Sequence, residues 1–384
     1  MSRIIALMTL LFAATWVTAS PGQIVVDCGA GQSLNNTLAK MDKHSAATVL
    51  VKGTCTELVL IDGFNDLTLN GVQGAALQQP STNPPPPSSY VLSIKASRGV
   101  TVSGLTVRSL PTIFSGIGIG GGSNDVRLQN VTTDGSWGVV VYEASQVWLV
   151  NVTVNITSGY GAVSAFDKSD VHIVNGLIER PTDSNWYAGI FASSGHVTMQ
   201  GMVIRDMQQG IVIDASGSVD LVYFDTSVAF SDVLINNPAG TNFTGVQAAN
   251  GSSLNIGSAK LRIMNAGQPS GWDSAAVSVS NGSTLNAGAS LIVSGSHGQG
   301  ILVSNNSHAE LAGSSITGSG HGGLVVVNQS TADAAVSSPL TVISGNGTDL
   351  FCDSKSLITG GANIANAASA QCTNLLPGNY ENLP

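Results

Sequence analysis

The chain has 384 residues, of which 10% are charged and 43% hydrophobic, with 45 glycines and a formal net charge of −9. So few charges exclude charged disorder and solvent-bridging helices. A pI near 4.9 with no basic stripe excludes nucleic acid as a partner, and an acidic polysaccharide would need a local cluster of the few Arg and Lys side chains, or bridging calcium.

The chain opens with Met1-Ser-Arg, an apolar run from Ile4 to Ala14 and then Val17-Thr18-Ala19. This is the pattern of a secretory signal peptide over residues 1–19, cleaved after Ala19, with an uncleaved anchor as the rival reading. No later stretch has the ~20 apolar residues of a membrane helix. An exported, secreted or cell-surface monomer is expected, with residues 20–384 as a single domain. Four cysteines fall into two local pairs, Cys28 with Cys55 and Cys352 with Cys372. Three pairings exist on paper, and the local one is favoured because each bridge would staple one end of a long molecule. Zinc is disfavoured, since no Cys-x-x-Cys or nearby histidine pair accompanies them.

Next in chain order comes Leu34-Asn-Asn-Thr-Leu-Ala-Lys-Met, a short amphipathic helix pattern, followed by the strand-like Ala47-Thr-Val-Leu-Val-Lys-Gly-Thr-Cys-Thr-Glu57. Gln79 to Ser89 is Pro-rich and reads as an exposed loop, because Leu67-Thr-Leu before it and Val91-Leu-Ser-Ile after it both read as strands. From Gly99 the chain repeats one phrase: a small residue, an alternating apolar strand, a Ser/Asn/Gly turn, a second strand and a Gly/Asn-rich return. Its first strand is written Gly116-Ile-Gly-Ile, Gly138-Val-Val-Val, Ala162-Val-Ser-Ala, Gly189-Ile-Phe-Ala and Gly210-Ile-Val-Ile. It continues as Gly245-Val-Gln-Ala, Ala276-Val-Ser-Val, Gly300-Ile-Leu-Val, Gly323-Leu-Val-Val and Asp349-Leu-Phe-Cys, in steps of 21 to 35 residues. Such a period with short β-branched strands marks a solenoid whose repeats stack as coils. Residues one and three after the small residue should point inward, and those two and four after it outward. Asn250, Asn281, Asn305 and Asn328 share one register, which predicts a stacked Asn ladder.

These features resemble the right-handed parallel β-helix, or pectin-lyase-like, superfamily over roughly residues 24 to 375. The resemblance implies an all-β solenoid of about 10–12 coils. It also implies an N-terminal cap over about 24–60 with a short capping helix, coils over about 60–352 and a disulfide-stapled C-terminal cap over about 353–384. Handedness comes from the resemblance alone. The run ending at Glu57 looks like the family's Gly-x-Tyr-x-Glu first coil, with Cys55 in place of the aromatic.

In this superfamily sites lie along outward positions of the first strand, and coils two to five are the chemically unusual ones. Trp137, Tyr160, Trp186 and Tyr187 precede the strands, and Tyr142 and Phe166 occupy the outward position four after the small residue, with Ser193 and Asp214 in later coils. Aromatic faces suit a sugar-binding cleft, the bland alternative being loop aromatics that cover the sheet. Glu143 and Asp167 follow in adjacent coils. With Asp214 they form candidate carboxylates for a glycosidase or for calcium, although their register is that of the Asn ladder, which also reads as a plain turn. Arg205 could act as a lyase base or hold a uronate, against an ordinary ion pair.

Motifs of particular families are missing. The polygalacturonase acid pair is absent, and Gly320-His321-Gly322 falls one residue too early for that family's histidine, with a shifted copy at His297, so both read as turn residues. Gly217-Ser-Val-Asp220-Leu-Val-Tyr223 echoes the pectin methylesterase stretch without its companions. No pectate-lyase Trp-Ile-Asp-His occurs. Asn-x-Ser/Thr sequons at Asn130, Asn151, Asn242 and Asn346 would carry glycans in a eukaryote and mean only turn chemistry in a bacterium. Two functions stay open: a β-helix that binds, or binds and processes as lyase or glycosidase, a polysaccharide or cell-surface glycan, and a non-catalytic structural or adhesion scaffold.

Overall fold

The computed structural model describes residues 23–81, 90–110, 115–158, 161–180, 188–222, 232–236, 244–267, 274–334 and 339–376. Its strands pair in parallel and line three faces of a solenoid of about twelve coils. The first face is a sheet of 13 strands, from Val59–Asp62 to Ala370–Cys372. The second and third faces join into one 22-stranded sheet, because long strands such as Gln146–Ser158 and Asp170–Glu179 bend from one face to the next. The bend is a single left-handed residue, Asn151 or Asn175, each at φ 53°. Strands flank the Pro-rich segment on both sides, at Leu67–Gln78 and Tyr90–Lys95, while residues 82–89 lie outside the described residues, as does the expected signal peptide.

The repeat phrase fixes the register. The residue after each small residue pairs coil by coil as Ile117, Val139, Val163, Ile190, Ile211, Val246, Val277, Ile301, Leu324 and Leu350. All are buried, and together with the inward columns of the other two faces they form one continuous apolar core. Burial of such columns is the main source of stability.

Turns between the first and second faces use two successive left-handed residues, for example Glu143–Ala144 (φ 56° and 54°), Asp167–Lys168 (51° and 62°) and Asn305–Asn306 (57° and 60°). Asn tolerates this conformation better than most side chains, because its short amide can bond locally. The expected ladder is present: the Nδ2 of Asn281 donates to Asn250 (3.1 Å), that of Asn305 to Asn281 (3.1 Å) and that of Asn328 to Asn305 (3.0 Å). Two residues further on, a buried serine column runs beside it. The N–H groups of Ser252, Ser283 and Ser307 donate to the Oγ of Ser283 (3.2 Å), Ser307 (3.3 Å) and Ser330 (3.2 Å). Ser97, Ser123, Ser145 and Ser169 form the same column in the early coils. Between the two serine runs the register holds Gly195 and Gly217, where a Cβ would lie 2.6 Å from the Ala165 carbonyl oxygen and 2.5 Å from that of Ala192.

Both expected disulfides form, and each sits at an end of the core. Cys55 is in line with Leu77 and Val107, and Cys352 pairs with Cys372 in the inward column of the first face. The helix Leu34–Leu38 lays Leu34 and Leu38 over the N-terminal end of the core. Ser33 caps it, and Glu57 binds the N–H of Leu34 (2.6 Å) and Asn35 (3.3 Å) and the Ser33 hydroxyl (2.8 Å).

Candidate functional site

The outward side of the first face departs from a simple solvent-facing row. Positions two after the small residue stack as Gly118, Val140, Ser164, Phe191 and Val212, and Val140, Ser164 and Val212 are buried. Neighbouring side chains only ~4.8 Å apart cover one another, so pointing outward is not the same as being wet.

Two tyrosines dominate the early coils. Tyr90 and Tyr142 stack with ring centroids 6.0 Å apart and planes inclined by 16°. Gly118 and Gly120 make the floor: a Cβ at the first would fall 2.5 Å from the Tyr90 ring, and at the second 2.4 Å from the Tyr142 ring. Burial, and then the neighbouring Tyr142 phenol and Glu143 carboxylate, push the Tyr90 hydroxyl well above its usual range. Phe166 and Phe191 meet edge to face at 5.5 Å in the adjoining coils. Beneath these rings the hydroxyls of Ser93 and Ser164 are buried without a hydrogen-bond partner.

The expected site residues divide accordingly. The column Phe166, Ser193 and Asp214 is one register across three coils, with Tyr142 preceding it. Glu143 and Asp167 lie at the exposed turn, in adjacent coils. Glu143 accepts the Gly121 N–H at 2.7 Å, and Asp214 accepts the Ala215 N–H (2.8 Å) and the Asn250 amide (2.6 Å), heading the Asn ladder. Trp137 is only 8% exposed and its carbonyl takes the Gly116 N–H at 2.7 Å. Arg205 is on the third face, ion-paired with Glu179. Tyr160, Trp186 and Tyr187 lie outside the described residues. Among the described residues the one tight group of metal-ligand side chains is Cys28, Cys55 and Glu57, whose sulfurs are bonded to each other and whose carboxylate caps the helix. Glu143, Asp167 and Asp214 do not form such a group among the described residues.

Three features are not legible in the repeat. Tyr90 precedes the first full phrase at Gly99, so the phrase does not assign its register. A hollow of about 320 Å³ lies on the same face in later coils, lined by Leu302, Val325, Val327, Phe351, Asn305 and Asn328 among others. On the second face, the parallel phrases Gln146-Val-Trp, Asp170-Val-His, His196-Val-Thr and Ser218-Val-Asp build a polar network. His172 lies between Asp170 (3.0 Å) and the Thr198 hydroxyl (2.6 Å) and stacks on Trp148 at 4.3 Å, while His196 lies between Ser218 (2.7 Å) and Asp220 (3.7 Å). Asp220 is thus a strand residue facing an imidazole. His297 and His321 sit in return turns, their N–H groups bonded to the preceding coil.

No protein-family model and no curated protein matches the chain. Among solved structures it is similar to the Streptococcus pneumoniae surface protein and adhesin PfbA, with 12% identity, TM-score 0.41 and coverage of 92% of this chain and 91% of that one. It is also similar to the receptor-binding protein of bacteriophage Det7, a podoviral tailspike in a myovirus (10%, TM-score 0.42, 92% and 76%), and to alginate lyase from Paenibacillus sp. str. FPU-7 (12%, TM-score 0.23, 94% and 99%). The chain's own strand register establishes what it is: a parallel β-solenoid of the β-helix type.

Proposed function

We propose that the chain is an exported glycan-binding solenoid that presents its first face to an extended polysaccharide, and that it binds rather than cleaves. The observation that carries this reading is the Tyr90–Tyr142 stack above its glycine floor, continued by Phe166 and Phe191. Aromatic faces pack against the C–H groups of a sugar ring, and phenol groups exchange hydrogen bonds with its hydroxyls. Binding is favoured over cleavage because Glu143 and Asp214 already serve turn hydrogen bonds. Two disulfides fit an oxidising compartment outside the cytosol. No helix among the described residues is long and apolar enough to cross a membrane.

A glycan array with the wild-type protein should give hits among plant, algal or bacterial polysaccharides, and Tyr142→Ala should weaken them about tenfold or more. Silence across the array would remove the reading. Reducing ends or unsaturated products released by the wild type would replace it with an enzyme using Glu143 and Asp167. The rival, a structural or adhesion scaffold, is supported by the Asn and Ser ladders of the later coils, which bind backbone and one another.

A further inference from the structure

Resting on that reading, we infer that the hollow over Leu302, Val325 and Phe351 is a second glycan subsite on the first face, selective for uncharged, acetamido-bearing sugars, and that the two subsites engage one long chain together. The hollow holds about 320 Å³, and every side chain that lines it is uncharged. The early subsite is bordered instead by Glu143, Asp167 and Lys168 at its turns. The nearest acid to the hollow in the turn row, Asp353, is turned onto the Asn328 N–H at 2.8 Å. An ionic sugar would therefore lose water there without gaining a counter-charge.

The floor and rim suggest the group that fits. Leu302, Val325 and Phe351 are successive outward residues of one column, and offer an apolar bed for a methyl group. On the rim, Asn305 and Asn328 each give one N–H to the ladder. A primary amide has two N–H donors and two acceptor sites, so each retains a donor and acceptor capacity for a neighbouring amide. An acetamido group supplies a methyl, a carbonyl and an N–H in one unit.

The hollow lies on the same 13-stranded face as the Tyr142 subsite. From Val139 to Ile301 the register advances six coils, which is about 29 Å at ~4.8 Å per coil. A chain laid along the solenoid axis and long enough to span both subsites gains by effective concentration, whereas a short oligomer occupies one at a time.

The test measures binding of the full chain to an N-acetylated glucosamine series from trimer to polymer, with the deacetylated polymer, polygalacturonate and an unsubstituted β-glucan alongside. Affinity should rise at least about a hundredfold once the oligomer spans the two subsites. Leu302→Asp and Phe351→Ala, checked for unchanged circular dichroism and melting, should abolish that rise while leaving trimer binding at the Tyr142 subsite. An affinity independent of length, or a long-chain affinity untouched by both variants, overturns the second subsite but leaves the glycan-binding reading standing. Equal or tighter binding of the β-glucan, the deacetylated polymer or polygalacturonate overturns the acetamido selectivity. Failure of every glycan to bind removes this inference together with the reading beneath it.

Discussion

Asp349 stands where the repeat phrase elsewhere places glycine or alanine, and it is 2% exposed. Its carboxylate accepts the N–H groups of Ala368 (2.6 Å), Ser369 (3.1 Å) and Asn346 (3.2 Å), and the Asn346 side-chain amide (3.0 Å). Burial alone would raise this carboxyl, but those donors outweigh it and hold it below the usual value. Asp170 behaves alike: burial raises it, and His172, His196 and Gln146 more than compensate. A depressed folded-state value means that the stabilisation is present above the unfolded Asp value of about 3.9 and is lost as pH falls through the folded one. The urea midpoint should therefore hold from neutral pH down to about 4 and drop below it. Asp349→Ala should cost about 3 kcal/mol at pH 7, by stranding several buried donors, and should flatten the acid limb of that profile. The Asn-x-Ser triplets at 250, 281, 305 and 328 carry a lesson of the same size. Their Asn builds the outer ladder and their Ser the buried one, so the spacing that spells a glycosylation sequon here follows from turn geometry.

At the scale of elements, the inward columns were legible because strict alternation and a small residue before each strand fix the register. The outward side was not. Whether Val140, Ser164 or Val212 meets water depends on neighbours 21 to 35 residues away in sequence, which no local pattern reports. The repeat spacing puts Glu143 and Asp167 in adjacent coils and Asp214 two coils further on, but the hydrogen bonds that Glu143 makes to Gly121 and Asp214 to Asn250 are three-dimensional facts. The second-face network is not legible in the sequence, because its phrases carry the same alternation as plain strands and its partners stand 22 to 26 residues apart. Each disulfide closes a loop, over 27 residues for Cys28–Cys55 and 20 for Cys352–Cys372. Loops of that size are worth about 3 kcal/mol in the chain-entropy account. Replacing Cys352 and Cys372 by Ser should leave the early coils protected and expose only the last ones. Hydrogen exchange should then quicken at Thr348–Cys352 and Ala370–Cys372 while Gly161–Phe166 stays slow.

Considered whole, the molecule is a one-dimensional stack in which each coil touches mainly its two neighbours. Removing one coil should be tolerated if the register is kept. Deletion of residues 281–304, the 24-residue step from Asn281 to Asn305, joins two equivalent turn positions. The shortened chain should keep its β-type circular dichroism and lose about 4.8 Å of length in small-angle scattering. A collapsed or aggregated product would mean that the coils are not interchangeable.

The disulfides at the two ends of the core also change how such a stack comes apart. A linear array normally unzips from its termini, where each unit has one neighbour instead of two. With both terminal units clamped covalently, the easiest opening moves inward, to the place where the serine column is replaced by Gly195 and Gly217 and two coils lack that tie. The solenoid is then expected to behave less like a zipper than like a sealed tube with one seam near its middle, and limited proteolysis of the disulfide-intact protein should cut first beside Gly195 and Gly217 rather than at the clamped ends.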